Sequence, residues 1–335
     1  MTNQTTDNSP NPLAPRELYN RLSAEIGRGL VGNETVLERL TIAVLTGGNV
    51  LIEGKPGVAK TTMAKLFGGA IGFSYSRIQM TPDMLPADIT GTHVYREDTG
   101  EFELHRGPIF ANLVLADEIN RTTPKTQSAL LEAMQERQVT IEGETLPLPD
   151  PFVLVATQNP IEVEGIFELP IAQRDRLQLK LTIDAPSRTA ERELLERINE
   201  NPDLADPSVS QVASTEDVLE ARKAVWDVYL ADEIIEYVLD IVEATETHPD
   251  VRYGASPRAS IAFLNASKAA AALAGRDYVV PDDVKALAKS VLTHRLVLSP
   301  GADLGGVTPE DVVDEIVNAT DPVGVNTDQL MGDGE

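Results

Sequence analysis

The sequence predicts an α/β fold: a parallel sheet flanked by helices, joined to a C-terminal all-α domain. Three observations carry this. Apolar runs within residues 50–54, 112–118 and 152–156 read as buried parallel strands, continuous rather than alternating. Each run ends in small or polar residues, at the strand end where open α/β sheets bind ligands. After Ile183 the strand pattern stops and helical spacing takes over.

Residues 1–15 are rich in Asn, Thr, Ser and Pro and predict a disordered tail. Residues 16–185 make the α/β domain. A helix is expected over 15–29, with Leu18, Leu22 and Ile26 on one face, and another over 34–45 after a turn at Val31-Gly32-Asn33. Gly47-Gly48 ends it and leads into the first strand. Residues 50–62 then read Val-Leu-Ile-Glu-Gly-Lys-Pro-Gly-Val-Ala-Lys-Thr-Thr: strand, glycine-rich turn, helix start. That is the layout of a phosphate-binding P-loop. Across Gly54, Lys55, Pro56, Gly57, Val58 and Ala59, backbone N–H groups can curl around phosphates. The helix that opens with Lys60, Thr61 and Thr62 adds partial positive charge, and Lys60 adds a full one. Thr61 offers a hydroxyl to Mg²⁺. Ala59 stands where the common motif has glycine, and close backbone approach is expected to survive if its φ is negative.

The P-loop helix is expected to reach residue 70, and a short strand follows over 74–79. Residues 80–107 form an excursion that closes in a hairpin over 95–104 around Asp98-Thr99-Gly100. The next strand ends in Asp117-Glu118. Asp117 is suited to hold Mg²⁺ through water, and Glu118 to polarise the water that attacks a γ-phosphate. An amphipathic helix is expected over 122–136, with Leu130, Leu131 and Met134 inward, then a second hairpin over 138–148. Both excursions are long for connecting loops. The strand at 152–156 ends in Thr157-Gln158-Asn159-Pro160, where the short amide of Asn159 can orient the same water. Residues 184–187 read as linker and helix cap. Helices over 189–199, 215–227, 232–247, 256–274 and 281–293 fill a helical domain at 186–300. Residues 301–335 read as an acidic C-terminal extension, frayed from Thr320.

Composition narrows the function classes. With 335 residues and 42% hydrophobic content, the chain suffices for one large or two modest domains. Lys and Arg number 28 against 53 Asp and Glu, a net charge of −25. Such a surface repels nucleic-acid phosphates and anionic lipid, so no nucleic-acid partner is expected. A small basic pore lining in an oligomer stays open. The acidity is spread along the chain and fits adaptation to high salt, where screening relieves self-repulsion; an ordinary acidic protein is the other reading. There is no cysteine. His93, His105, His248 and His294 lack metal-ligand spacing and are expected in surface or cap roles. No stretch is apolar enough to span a membrane and no leader pattern opens the chain, so a cytoplasmic location is expected.

As a set, these motifs resemble the MoxR-type AAA+ ATPases over residues 15–300. The resemblance rests on Gly54-Lys55-Pro56-Gly57-Val58-Ala59-Lys60-Thr61, with alanine before the lysine as is usual in that family. It also rests on the segment 81–91 from Thr81-Pro82-Asp83 to Ile89-Thr90-Gly91, on Arg106-Gly107-Pro108-Ile109-Phe110, and on Asp117-Glu118-Ile119-Asn120-Arg121. Leu130-Leu131-Glu132-Ala133-Met134 and Ala156-Thr157-Gln158-Asn159-Pro160 complete it. It implies a P-loop NTPase (AAA+) core with a helix-2 insert and a pre-sensor hairpin, followed by a helical lid. It further implies ATP and Mg²⁺ as ligands, Asn159 as sensor 1, and Arg176 as an arginine finger reaching a neighbour's γ-phosphate. Arg258 becomes sensor 2, reaching the bound phosphate. The family pattern around the finger is closer to Gln-Leu-Asp-Arg-Phe; here Arg174 and Leu177 differ, which leaves Arg174 open as a second contributor. Family members typically form hexamers and remodel protein clients, often with a von Willebrand A-domain partner. A DNA-dependent motor, a metal-chelatase-like subunit and a non-catalytic nucleotide-gated scaffold are the rival readings. Net charge weighs against the first, and intact Lys60, Asp117, Glu118, Asn159 and Arg176 weigh against the last.

Overall fold

The computed structural model describes residues 13–160 and 165–322. Of the tails expected at 1–15 and from Thr320, residues 1–12 and those beyond 322 lie outside the described residues; the first tail is shorter than expected, since Leu13 is buried with its N–H on Asp217 and Pro15 opens the first helix. Helices α1 (Pro15–Gly29) and α2 (Glu34–Thr46) precede β1 (Val50–Gly54), followed by α3 (Lys60–Ile71), β2 (Tyr75–Gln79) and a short α4 (Pro86–Thr90). A hairpin of β3 (Gly91–Arg96) and β4 (Glu101–Arg106) comes next, then β5 (Leu113–Asp117) and α5 (Pro124–Glu136). A second hairpin, β6 (Gln138–Ile141) and β7 (Glu144–Pro147), leads to β8 (Val153–Gln158), α6 (Ile171–Arg174) and β9 (Leu179–Ile183). The remainder is mostly helical: α7 (Arg188–Glu200), α8 (Thr215–Trp226), α9 (Asp232–Thr247), β10 (Val251–Tyr253) and α10 (Pro257–Leu273). It closes with α11 (Pro281–Leu292), β11 (Val297–Leu298), α12 (Pro300–Gly305) and α13 (Pro309–Ala319).

The main sheet runs β2-β5-β8-β1-β9, with every pair parallel. Successive strand residues point to opposite faces, and the core divides accordingly. Ile52, Leu113 and Val155 face α1 to α3 and share one continuous core with the helical half through Phe263, Val284 and Val291. Leu51, Val114 and Leu154 face the other way, onto Leu130, Leu131 and Met134 of α5 and Ile141 of the second hairpin. Both hairpins therefore belong to the face away from the lid. They touch one another at His93, whose ring nitrogens lie 3.4 and 3.9 Å from carboxylate oxygens of Glu142 and Glu144.

Two expectations change. The packed helical unit does not stop at residue 300: α13 lies on α9 and α11 and buries Val312, Val313 and Ile316. Those three residues make a helical stripe, and Thr308 and Asp311 form a capping box at its start. The acidic composition around them hid the stripe. His294 is not a surface histidine; it is 2% exposed, with Nε2 2.9 Å from the carbonyl of Leu177. Burial, then the neighbouring Arg295 charge, holds its pKa well below the ordinary value. The folded protein keeps this imidazole neutral, whereas the unfolded chain protonates it near pH 6.5. Its contribution is thus complete above that pH and is lost on acidification. The unfolding free energy from urea titration is expected to fall from about pH 7 toward 5, by up to about 1.4 kcal/mol per pH unit. His294→Gln is expected to flatten that slope; an identical slope in the variant would contradict the assignment.

Candidate functional site

The glycine-rich loop leaves the sheet where the sequence predicts. Gly54 ends β1, and a Cβ there would lie 2.6 Å from the Ile183 carbonyl oxygen, so only glycine lets β1 and β9 stay paired at this point. Ala59 departs from expectation: its φ is +63°, in the left-handed region. It stands immediately before α3 and, as alanine, has no side-chain oxygen to cap that helix. The first N–H groups of α3 are thereby left to face the cleft, which makes an anion site. The left-handed backbone costs an L-residue about 1–2 kcal/mol. Ala59→Gly is expected to raise unfolding stability by about 0.5–1 kcal/mol, after glycine's extra freedom in the unfolded chain is subtracted. Chemical denaturation measures this.

Facing the loop are the carboxyl ends of β5 and β8. Residues 56–62, Asp117, Glu118 and Asn159 line one cleft of about 380 Å³. Lys60 Nζ donates to the carbonyl of Gly54 and, at 3.2 Å, to that of Gln158. Thr61 Oγ1 donates to Asp117 Oδ2 at 3.2 Å. The same oxygen accepts from Arg77 Nε and a terminal guanidinium nitrogen at 3.0 and 2.7 Å, while Oδ1 accepts from Thr157 Oγ1 at 2.6 Å. Burial pushes the Asp117 carboxyl up, but the bonds from Thr157, Arg77 and Thr61 and the Arg77 charge outweigh it, so the net shift is downward. Asp117 is therefore a fixed carboxylate. Glu118 turns out of the strand with φ +59°, and its carboxylate accepts from Gln79 Nε2 at 2.7 Å and pairs with Arg121 at 3.2 Å. Its backbone N–H donates to Thr157 Oγ1 at 2.9 Å.

Sequence reasoning missed Arg77, Gln79 and Thr157 as partners of the two carboxylates. A signal existed for the first two: they sit two residues apart on β2, hence on one face. It also missed a small cleft of about 70 Å³ beside α3, lined by apolar side chains including Ile26, Leu30, Leu37 and Met63. Gly32 and Asn33, with φ of +72° and +83°, turn the chain at its edge.

Arg176 and Arg258 are not in the P-loop cleft of their own chain. They line a second cavity of about 330 Å³, together with Arg137, Asp175, Arg295 and residues 46–49. Those last residues enter β1, whereas the P-loop leaves it, so a five-residue strand of about 16 Å separates the two cavities. Arg258 pairs with Asp175 at 3.5 Å, in this second cavity and not beside its own P-loop. The reason is register: Asp175 and Arg176 precede β9, and β9 runs parallel to β1 with Ile183 beside Gly54. Asp175 also accepts from Ser256 Oγ at 2.8 Å and from Arg295 Nε at 3.1 Å. Arg295 is 3% exposed, and burial, opposed by Asp175, pushes its pKa down to about 10. The Nε atoms of Arg174 and Arg176 are both buried with no hydrogen-bond partner among the described residues. Among the described residues no three His, Cys, Asp or Glu gather as a metal cluster, and no helix is long and apolar enough to cross a membrane.

A five-stranded parallel sheet with a P-loop, acidic strand ends and a helical lid defines the AAA class of ATPase domains. Residues 49–179 match the ATPase family associated with various cellular activities (AAA), and residues 243–316 match the AAA lid domain. Chaperone MoxR1 of Mycobacterium tuberculosis is 43% identical over 88% of this chain and 79% of its own. YeaC of Bacillus subtilis is 45% identical over 90% of this chain and 94% of its own. A solved structure of a candidate ATPase from Cytophaga hutchinsonii superposes with a TM-score of 0.85 at 37% identity, covering 92% of this chain and 95% of that one. The chain belongs to the MoxR family of AAA ATPases.

Proposed function

We propose that this protein hydrolyses ATP at a site shared between neighbouring copies in a ring and uses the cycle to remodel client proteins. One observation carries the reading. Lys60, Thr61, Asp117, Glu118 and Asn159 meet in one cleft, while Arg176 and Arg258 stand at the other end of the sheet. Among the described residues, each P-loop cleft is lined by one half of the charged groups that phosphoryl transfer uses, and the other half stands at the far cavity. A head-to-tail contact, which closes into a ring when the rotation permits, brings the other half. The apolar cleft beside α3 is suited to a purine ring, and the α3 N-terminus with Lys60 to the phosphates. Thr61 and Asp117 suit Mg²⁺: two oxygen donors, one of them a fixed carboxylate, 3.2 Å apart. That ion, when bound, would neutralise charge on the phosphates. Glu118 would take the proton of the attacking water, and Asn159 would orient it. Chaperone-like action is supported by kinship with a protein named chaperone MoxR1, and a von Willebrand A-domain protein is the partner class the family resemblance favours.

Isothermal titration with ATP and Mg²⁺ tests the reading at its base. Lys60→Ala is expected to abolish measurable binding, because it removes the lysine that lines the cleft at the start of α3. Wild-type protein that binds no adenine nucleotide, or that turns it over equally well as a strict monomer, sinks the reading.

A further inference from the structure

The two oxygens of Asp117 are not equivalent. Oδ1 is committed to the protein interior: it accepts from Thr157 Oγ1 at 2.6 Å, and Thr157 is fully buried. Oδ2 is the oxygen beside Thr61, and three donors meet it: Thr61 Oγ1 at 3.2 Å, Arg77 Nε at 3.0 Å and a terminal Arg77 nitrogen at 2.7 Å. A carboxylate oxygen offers about two lone-pair directions. Three donors therefore fill it. Neither a cation nor a water held by a cation reaches Oδ2 until a donor leaves.

The two residues differ in what they can give up. A threonine hydroxyl donates once and has lone pairs of its own, so Thr61 can keep its bond to Asp117 and still present oxygen to a cation. A guanidinium has no acceptor and carries positive charge, so Arg77 both fills the oxygen and repels a cation. Arg77 is also the partner placed to move. Its side chain is 47% exposed, against 9% for Asp117, and an ion pair with a half-exposed partner is weakly held. It stands on β2, an outer strand of the main sheet. The terminal nitrogen that meets Asp117 also donates to Gln79 Oε1 at 2.6 Å, so Arg77 has an acceptor outside the carboxylate.

We infer that Arg77 is a displaceable counter-ion of Asp117: it neutralises the carboxylate beside Thr61, gives up Oδ2 when a divalent cation enters with nucleotide, and so sets how strongly nucleotide binding depends on that cation. This rests on the assignment of Thr61 and Asp117 to Mg²⁺ made above, and it makes Arg77 a competitor of the metal rather than a support for it.

Titration calorimetry with ADP, once in excess Mg²⁺ and once in EDTA, gives two dissociation constants whose ratio measures how far the cation strengthens binding. In Arg77→Gln that ratio is expected to rise about tenfold, inside the range that couplings between two ligands span. Competition for Oδ2 ends, and Asp117 without its counter-ion repels phosphate in EDTA. Arg77→Lys, which keeps the charge as a point cation, is expected to return the ratio to within about threefold of wild type. A residue that merely supported the fold would shift both constants together and leave the ratio where it was. An unchanged or smaller ratio in Arg77→Gln therefore overturns the counter-ion role, as does a raised ratio that Arg77→Lys fails to lower. An Arg77→Gln chain that does not fold overturns it too, since a counter-ion given up at each binding event is not one the fold requires. Asp117→Asn separates this inference from the reading beneath it. If wild type shows no Mg²⁺ dependence, or Asp117→Asn leaves that dependence intact, the Mg²⁺ assignment falls. If both behave as assigned and Arg77→Gln does not, the counter-ion role falls alone.

Discussion

Alanine in place of Arg176 is expected to lower assembly-dependent ATP turnover by about 10³–10⁵-fold, the range that one arginine supplied in trans contributes to phosphoryl transfer. Nucleotide affinity of the separate subunit is expected to stay within a few-fold of wild type, since Arg176 stands a strand length from its own P-loop. The physical basis is charge: the transferred phosphoryl group spreads negative charge over its oxygens, and a preorganised cation there needs no reorganisation as the reaction proceeds. Complementation gives the sharper measurement. In mixed assemblies, a Lys60→Ala subunit retains its arginines and an Arg176→Ala subunit retains its P-loop, so mixing is expected to restore turnover that neither has alone. No recovery in assemblies shown to contain both subunits would refute supply in trans. Arg174, whose Nε is also buried and without a partner among the described residues, is the control; if Arg174→Ala carries the larger loss, the finger role moves there.

Glu118→Gln is expected to slow turnover by about 10²–10⁴-fold, the usual worth of a positioned general base, while ATP still binds. The substitution keeps the size and the hydrogen-bonding reach toward Gln79, and it removes the charge that faces Arg121. Because the Glu118 side chain is 26% exposed, stability is expected to change by less than about 0.5 kcal/mol. Single-turnover kinetics alongside titration separates the two effects. A native rate in this variant would remove Glu118 from the role of base, and a loss of binding would assign it to the ground state.

What could be read in advance depended on how local the signal was. The strands at 50–54, 112–118 and 152–156 were legible because buried parallel strands need unbroken apolar residues, and their ends were legible because the P-loop and the Asp117-Glu118 pair are short contiguous patterns. The helical stripe of 312–316 was harder, since Asp and Glu between its apolar positions dominate the composition. The left-handed backbone of Ala59 was not legible, because alanine ordinarily avoids it. Neither was the burial of His294 and Arg295, which depends on carbonyls of residues 177 and 178 more than a hundred positions away.

The chain's own order of residues thus determined the class of fold, the phosphate loop and the two carboxylates. Each of these is encoded within one strand and the turn that follows it. Only the tertiary structure decided that Arg176 and Arg258 stand with Asp175 at the far end of the sheet. That outcome is set by strand direction and register: β1 and β9 run parallel, so residues that precede one strand and residues that follow the other are held a full strand length apart.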